Sequence, residues 1–280
     1  MAELTDSTAD PSDTTTLIKK EAGVGHAATK PHKLDAILEN KVGVGFFHVL
    51  LTVVTGWALA SDSVEVQCIS FVTPKLANET SSLRPTKLQE GLLDAIIFLG
   101  MMVGGYVWGS LSDAVGRRTC LITSLAVNGT FGLASAFSPT YTSFLLFRFC
   151  SGVGVGGSLP VAFSYFSEFF SRKNQAPFII VMAAFWSVGQ FFTTMMAWAI
   201  IEPLEGVVDA PLGTITLKSW RVYIMVCTFP CFSAALLLLS LPESPGFLFE
   251  KRKYQQLVKV LGRIQWVNSL KSHWRVSMTT

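Results

Sequence analysis

Six long apolar runs dominate the chain, at roughly residues 46–73, 91–111, 119–137, 142–166, 178–201 and 222–241. An α-helix rises 1.5 Å per residue, so about 20 apolar residues cross a bilayer core roughly 30 Å thick. Strands of a membrane barrel would be about 10 residues long and would alternate in polarity. These runs are longer and do not alternate, so they predict helices. The first and fourth exceed one crossing, which predicts tilt, a break or extension beyond the bilayer. The expected fold class is an all-α membrane protein with six transmembrane helices in residues 45–241. Residues 1–44, rich in Ser, Thr, Asp and Ala as far as Lys33, read as a disordered cytosolic tail with a short membrane-surface segment at Leu34 to Asn40. Residues 242–280 read as a cytosolic tail, amphipathic and lying on the membrane from Phe247 to about Val267. No apolar core precedes Phe46, so the N-terminus does not read as a secretory signal and the first span is the expected signal anchor.

Charge sharpens this picture. Of 22 Lys+Arg and 19 Asp+Glu, only 20 fall within residues 45–241, which make up most of the 280-residue chain. The charge-poor block argues against a soluble enzyme, a nucleic-acid binder and a disordered chain. Lys and Arg also sort by side. The two tails, the loop with Arg117 and Arg118 and the loop with Arg172 and Lys173 hold most of them. The other side holds Lys75, Arg84, Lys87, Lys218 and Arg221. The positive-inside rule then puts both termini in the cytosol, in keeping with an even number of spans. On the opposite side Asn78-Glu79-Thr80 is a glycosylation sequon, close enough to the bilayer for occupancy to stay open. Asn128-Gly129-Thr130 has the same pattern but falls inside the third run, out of reach of the transferase. The five cysteines form no CxxC pair or Cys/His cluster, so neither a zinc site nor a disulfide framework is expected.

Between the second and third runs the chain reads Gly109-Ser110-Leu111-Ser112-Asp113-Ala114-Val115-Gly116-Arg117-Arg118. This predicts two helices joined by a tight turn at the cytosolic surface. Gly109 would permit close helix approach, and Gly116 a turn with positive φ. Asp113 could accept hydrogen bonds from Arg117, Arg118 or a neighbouring helix N-terminus. In the fourth run Arg148 is followed by Gly152, Gly154, Gly156 and Gly157. Gly152 and Gly156 form a GxxxG packing face, as do Gly100 with Gly104 and Gly105 with Gly109 in the second run. An arginine deep in an apolar run needs a cavity or a partner.

The string from Gly109 to Arg118, in its place between spans two and three, resembles the cytosolic loop of the major facilitator superfamily. Arg148 with its glycines resembles that superfamily's fourth-span pattern. Further segments narrow the likeness: Asp62-Ser63-Val64-Glu65-Val66, Gly152 to Pro160 with Phe163 to Phe169, Ala197 to Ile201, Ser219-Trp220-Arg221-Val222 and Leu241-Pro242-Glu243-Ser244-Pro245. Together they are similar to the synaptic vesicle glycoprotein 2 and synaptic vesicle 2-related family, over about Asp35 to Asn268. The resemblance implies the N-terminal half of a major facilitator fold, two three-helix inverted repeats, and secondary transport of a small solute by alternating access. It also implies a cytosolic gate network that includes Glu168 and Arg172, and an aromatic of the ligand pocket at Trp186. Two departures bear on that network: Gly246 stands where the family usually has arginine, and Asn174-Gln175-Ala176 replaces a basic-basic-glycine element. The superfamily has two six-span halves, and Thr280 falls in what would be the loop between them.

Asp62 and Glu65 lie three residues apart and share a helix face. Two readings stay open. They form a proton- or cation-coupling site, with Arg148 as a partner, or they sit near the lumenal surface and are simply solvated. Solvation suits Asp94, near the start of the second span. Trp198 is either cavity-lining or an interfacial aromatic. No nucleophile–base pair, phosphate loop or metal constellation occurs, so neither an enzyme nor a cofactor is expected. The expected partners are a small-molecule or ion substrate, membrane lipid, and a second six-span half or a second copy of the chain. Three functions remain in view: a transporter-like vesicle protein of which this is a partial or truncated chain, a half-transporter working as a homo-oligomer, and a non-transporting vesicle scaffold.

Overall fold

A computed structural model describes residues 44–77, 83–171, 173–204, 210–212 and 215–277. The N-terminal tail to residue 43, the Asn78 sequon and Arg172 lie outside the described residues. Among the described residues, six helices are long and apolar enough to cross a membrane. They are α1 (Phe46–Ala77), α2 (Lys87–Val115), α3 (Arg117–Ala136), α4 (Tyr141–Ser167), α5 (Gln175–Ile200) and α6 (Ser219–Leu238). A two-stranded antiparallel hairpin, β1 (Ala210–Leu212) and β2 (Ile215–Leu217), lies between α5 and α6. Two further helices follow, α7 (Pro245–Glu250) and α8 (Tyr254–Ser277).

The helix ends follow local chemistry. Thr86 opens α2, and its backbone N–H donates to the Gln89 side chain at 2.8 Å, as in a capping box. Thr140 opens α4 and accepts from the Ser143 backbone N–H. The α2–α3 junction is the single residue Gly116, at φ +124°, a conformation that a Cβ disfavours. The first run proves to be one unbroken helix of 32 residues, about 48 Å at the usual rise, with Pro74 only in its last turn. No break divides that run, which leaves tilt or extension beyond the bilayer to take up its length.

The helices pack with an internal regularity: α2 lies against α4 and α5 against α1, while α3 lies against α4 and α6 against α1. An exchange of helices 1–3 with 4–6 preserves this pattern of neighbours, as inverted repeats require. Lipid tails are as apolar as Leu, so helix association in a membrane depends on close packing and polar contacts. Glycines supply the first. A Cβ at Gly100 or Gly104 of α2 would run into the backbone carbonyls of Phe149 or Val153 of α4. In return, one at Gly152 or Gly156 would meet the carbonyls of Ile97 or Met101. Gly189 of α5 lies likewise on the carbonyl of Ala60 in α1. Gly109 is different: a Cβ there would meet nothing within 4 Å, so the close approach its motif position suggests is absent among the described residues.

Residues after α6 also depart from expectation. Leu257, Leu261 and Ile264 of α8 are buried in one cluster with Phe47, Leu51, Phe166 and Leu241 of the bundle. The apolar face expected to lie on the membrane is taken by the protein itself. Asn268 secures the seat, its Oδ1 accepting the Phe47 backbone N–H at 3.0 Å and so capping α1.

Gly104→Leu and Gly156→Leu are expected to destabilise the chain in detergent by about 1–3 kcal/mol or more, because backbone rather than a flexible side chain blocks the new atoms. Gly109→Ala should change the melting temperature little. Equal melting temperatures for all three would contradict the packing described.

Candidate functional site

Two clusters of polar groups stand out, one inside the bundle and one at the end that carries the Gly116 turn. The inner cluster begins on α1. Asp62, Glu65 and Arg148 are fully buried, which removes the reading of the two carboxylates as solvated near the surface. Arg148 Nη1 lies 2.6 Å from Glu65 Oε1, and its Nη2 donates to Ser135 Oγ at 2.7 Å. Its guanidinium carbon sits 5.3 Å from the centre of the Phe144 ring. Thus the partner of the buried arginine is a carboxylate from α1, on a site completed by α3.

Room for this pair comes from Gly132, where a Cβ would meet Glu65 Oε1 at 2.9 Å. Glu65 Oε1 also takes a hydrogen bond from Ser151 Oγ at 2.8 Å; that hydroxyl lies 2.9 Å from Asn128 Oδ1 as well. Asn128 then reaches Asp62 Oδ1 through its Nδ2 at 3.4 Å. Ser158 Oγ lies 2.6 Å from Asp62 Oδ2 and 2.9 Å from the Val155 carbonyl. So the two carboxylates are joined through neutral groups of α3 and α4, and only Glu65 contacts the guanidinium. With both carboxylates ionised the trio carries one net negative charge, which a single proton or monovalent cation balances. Glu65 Oε2 and Arg148 Nε are buried without hydrogen-bond partners, so the cluster keeps unused capacity for polar contacts.

Trp186 is not part of this cluster. Its backbone carbonyl accepts from Ser63 Oγ at 2.8 Å, which ties α5 to α1 one residue from Asp62. Its ring is half-buried. Trp198 is 71% exposed, in keeping with an interfacial or partner-facing aromatic. Asp94 is exposed.

At the turn, Arg117 Nη1 pairs with Asp113 and its Nε lies 3.0 Å from Glu168 Oε1. Arg118 turns elsewhere. It donates to the Leu238 carbonyl at 3.1 Å and the Leu239 carbonyl at 2.7 Å, capping the end of α6. The Glu168 Oε2 contacts Ser244 Oγ and accepts the Phe247 backbone N–H at 3.2 Å. Burial holds the Glu168 carboxyl above its ordinary range, a rise that Arg117 opposes only in part. Glu243 accepts the Arg118 backbone N–H at 2.8 Å. A Cβ at Gly246 would come 2.5 Å from Glu168 Oε2. A backbone N–H and a serine hydroxyl thus reach the same carboxylate.

Sequence reasoning misses Glu243 and Ser244 in this turn network, and Asn128, Ser135, Ser151 and Ser158 inside. Each of the last four is a small polar residue in an apolar run, the one signal they give. Asn128, whose sequon pattern has no use within the third span, is fully buried.

A charge cluster sealed inside a six-helix bundle, with two repeats of three helices, defines half of a major facilitator fold. Solved structures agree. The partially occluded, inward-open xylose transporter XylE from E. coli superposes with a TM-score of 0.66 at 19% identity, covering 83% of this chain and 58% of that one. The chain belongs to the sugar (and other) transporter family, whose model matches residues 44–276. Among curated relatives, synaptic vesicle glycoprotein 2A of Homo sapiens is 40% identical over 234 residues, and 2B of Homo sapiens 38% identical over 237. These alignments cover 84% and 85% of this chain but 31% and 34% of the relatives. The chain therefore spans about a third of their length.

Glu65→Gln leaves Arg148 buried without its carboxylate and is expected to cost about 3–5 kcal/mol. Asp62→Asn, at a carboxylate with neutral partners, should cost about 1 kcal/mol or less. Thermal unfolding in one detergent compares them, and a larger loss for Asp62→Asn would reverse the two roles.

Proposed function

We propose that this bundle is half of a proton-coupled transporter for a small polar solute of the sugar class, working by alternating access. Asp62 is its proton carrier, and the Glu65–Arg148 pair is the fixed charge beside it. The observation that carries this reading is the two-acceptor position of Ser158, which lies within hydrogen-bond distance of both Asp62 and the Val155 carbonyl. When Asp62 is protonated, its O–H donates to Ser158 Oγ and the serine donates to Val155 O. When Asp62 is ionised, the serine rotates and donates to the carboxylate. Both states are satisfied by one hydroxyl rotation, which suits a group that must load and release a proton. Ionisable groups inside a membrane bundle are rare and by default mark solute or ion pathways. Two solved relatives in fold are described as a proton:xylose symporter and a D-xylose-proton symporter, which supports the same coupling here.

The solute path lies between this bundle and a second one. The outward faces of α2 and α5 carry Met102, Tyr106, Ile180 and Phe191, each between 66% and 81% exposed. A second six-helix bundle opposes them, from a longer form of the protein or from another copy. Asp113, Arg117 and Glu168 form the cytosolic gate beside that seam, and the family resemblance adds Arg172 to its proposed members. The positive-inside rule puts this turn and α8 in the cytosol, and the vesicle name of the relatives points to a vesicle membrane. Asn78, on the lumenal side, is the proposed glycan acceptor.

Proteoliposomes with an inwardly directed proton gradient, loaded against labelled D-xylose or D-glucose, test the reading. The chain as a strictly single copy should give little or no uptake, since half of the path's wall is missing. Crosslinking in membranes through Met102→Cys should trap dimers if a second copy supplies the wall. In whichever assembly transports, Asp62→Asn should abolish the dependence on the gradient. Robust uptake by single copies, or gradient-driven uptake that survives Asp62→Asn, overturns it.

A further inference from the structure

In the sequence Arg221 is only a charge that helps orient the chain. In the structure it is 3% exposed, at the end of the bundle opposite the Gly116 turn. Two independent links run from it toward Arg148. Along the first, its Nη1 donates to the Ala136 carbonyl and its Nη2 to the Ser138 carbonyl at 2.9 Å, capping the end of α3. The residue before Ala136 is Ser135, whose hydroxyl accepts from Arg148 Nη2 at 2.7 Å and donates to the Gly132 carbonyl at 2.6 Å. Along the second, the Arg221 guanidinium stacks 4.4 Å from the Trp220 ring centre. Trp220 meets Phe144 edge-to-face at 6.1 Å, and Phe144 lies under the Arg148 guanidinium at 5.3 Å. Arg221 thus bonds the backbone next to that hydroxyl and, through Trp220, reaches the ring beside Arg148.

We propose that Arg221, with Trp220, is a positioning residue for the Glu65–Arg148 pair, transmitting the arrangement of the α3–α6 junction at this end of the bundle to the buried charges. The turn at the other end has a counterpart without such links: Arg118 of α3 caps α6 there. The two arginines therefore tie the same helix pair at both ends, and only Arg221 reaches the charge cluster. Opening the α3–α6 junction on that side slackens both supports of Arg148 together. A solute-side movement can in this way alter the ion pair without touching it. The inference rests on Glu65–Arg148 being the fixed charge beside Asp62, but it is read from the pair itself rather than from transport.

The test uses the full chain in detergent micelles. The infrared carboxylate band of Glu65, isolated as the difference from Glu65→Gln, is recorded in wild type, Arg221→Gln and Arg221→Lys. Amide hydrogen exchange is followed by mass spectrometry in the same proteins. In Arg221→Gln the Glu65 band should be displaced, and exchange in 144–151 and 60–66 should be about tenfold faster, with 113–120 unchanged. Arg221→Lys keeps a cationic donor for the α3 carbonyls and should restore the wild-type band. An unchanged band in Arg221→Gln overturns the proposal, even with a lowered melting temperature, because a purely structural cap would behave that way. If Arg221→Gln does not fold, Trp220→Leu cuts the ring link alone and is judged on the same band. Since the band reports on the pair whether or not solute crosses, failed uptake with a displaced band counts against the transport reading only.

Discussion

The ion pair between Glu65 and Arg148 is the constraint around which the bundle is arranged. Two charges withdrawn from water cost several kcal/mol each unless geometry and further hydrogen bonds offset it. That requirement recruits α1, α3 and α4 to one place. The pair needs Gly132 to make room, Ser151 and Ser135 to supply hydrogen bonds, and Phe144 to cover the guanidinium. Asp62, joined to the pair through Asn128 and Ser151, inherits a site already sealed by the same helices. It is left with neutral partners, the condition under which a carboxyl can exchange a proton without breaking an ion pair.

Packing elsewhere serves this arrangement. In hydrocarbon there is no gain from hiding one apolar surface against another, so helices are joined where backbones approach or polar groups meet. The reciprocal glycines of α2 and α4, and Gly189 on α1, provide the first kind of contact. The arginine caps between α3 and α6 provide the second, at both ends of the antiparallel pair. What remains outward on α2 and α5 is large and apolar.

The turn after α2 gathers its partners from distant parts of the chain. The Glu168 carboxylate is engaged by Arg117, Ser244 and a backbone N–H. Glu243 meanwhile closes the start of α3. The segment after α6 is therefore continuous with the bundle: its serine and glutamate join the turn network, and α8 covers the start of α1.

Hydrophobic run length, charge sidedness and the glycine-turn motif determined from the sequence that this chain is six membrane helices of a half facilitator. Those properties follow from bilayer thickness and from the cost of moving charge, which act on each segment separately. Tertiary structure alone decided the pairing. Asp62 and Glu65 could be seen to share a helix face, but Arg148, 83 residues along the chain from Glu65, chose only one of them. The serines and Asn128 that connect the two looked like ordinary small residues in apolar runs. Gly109 and α8 failed expectation for the same reason: a motif or an amphipathic pattern states that a face needs covering, not which neighbour arrives to cover it. That choice depends on contacts between residues far apart in the chain, which no local pattern encodes.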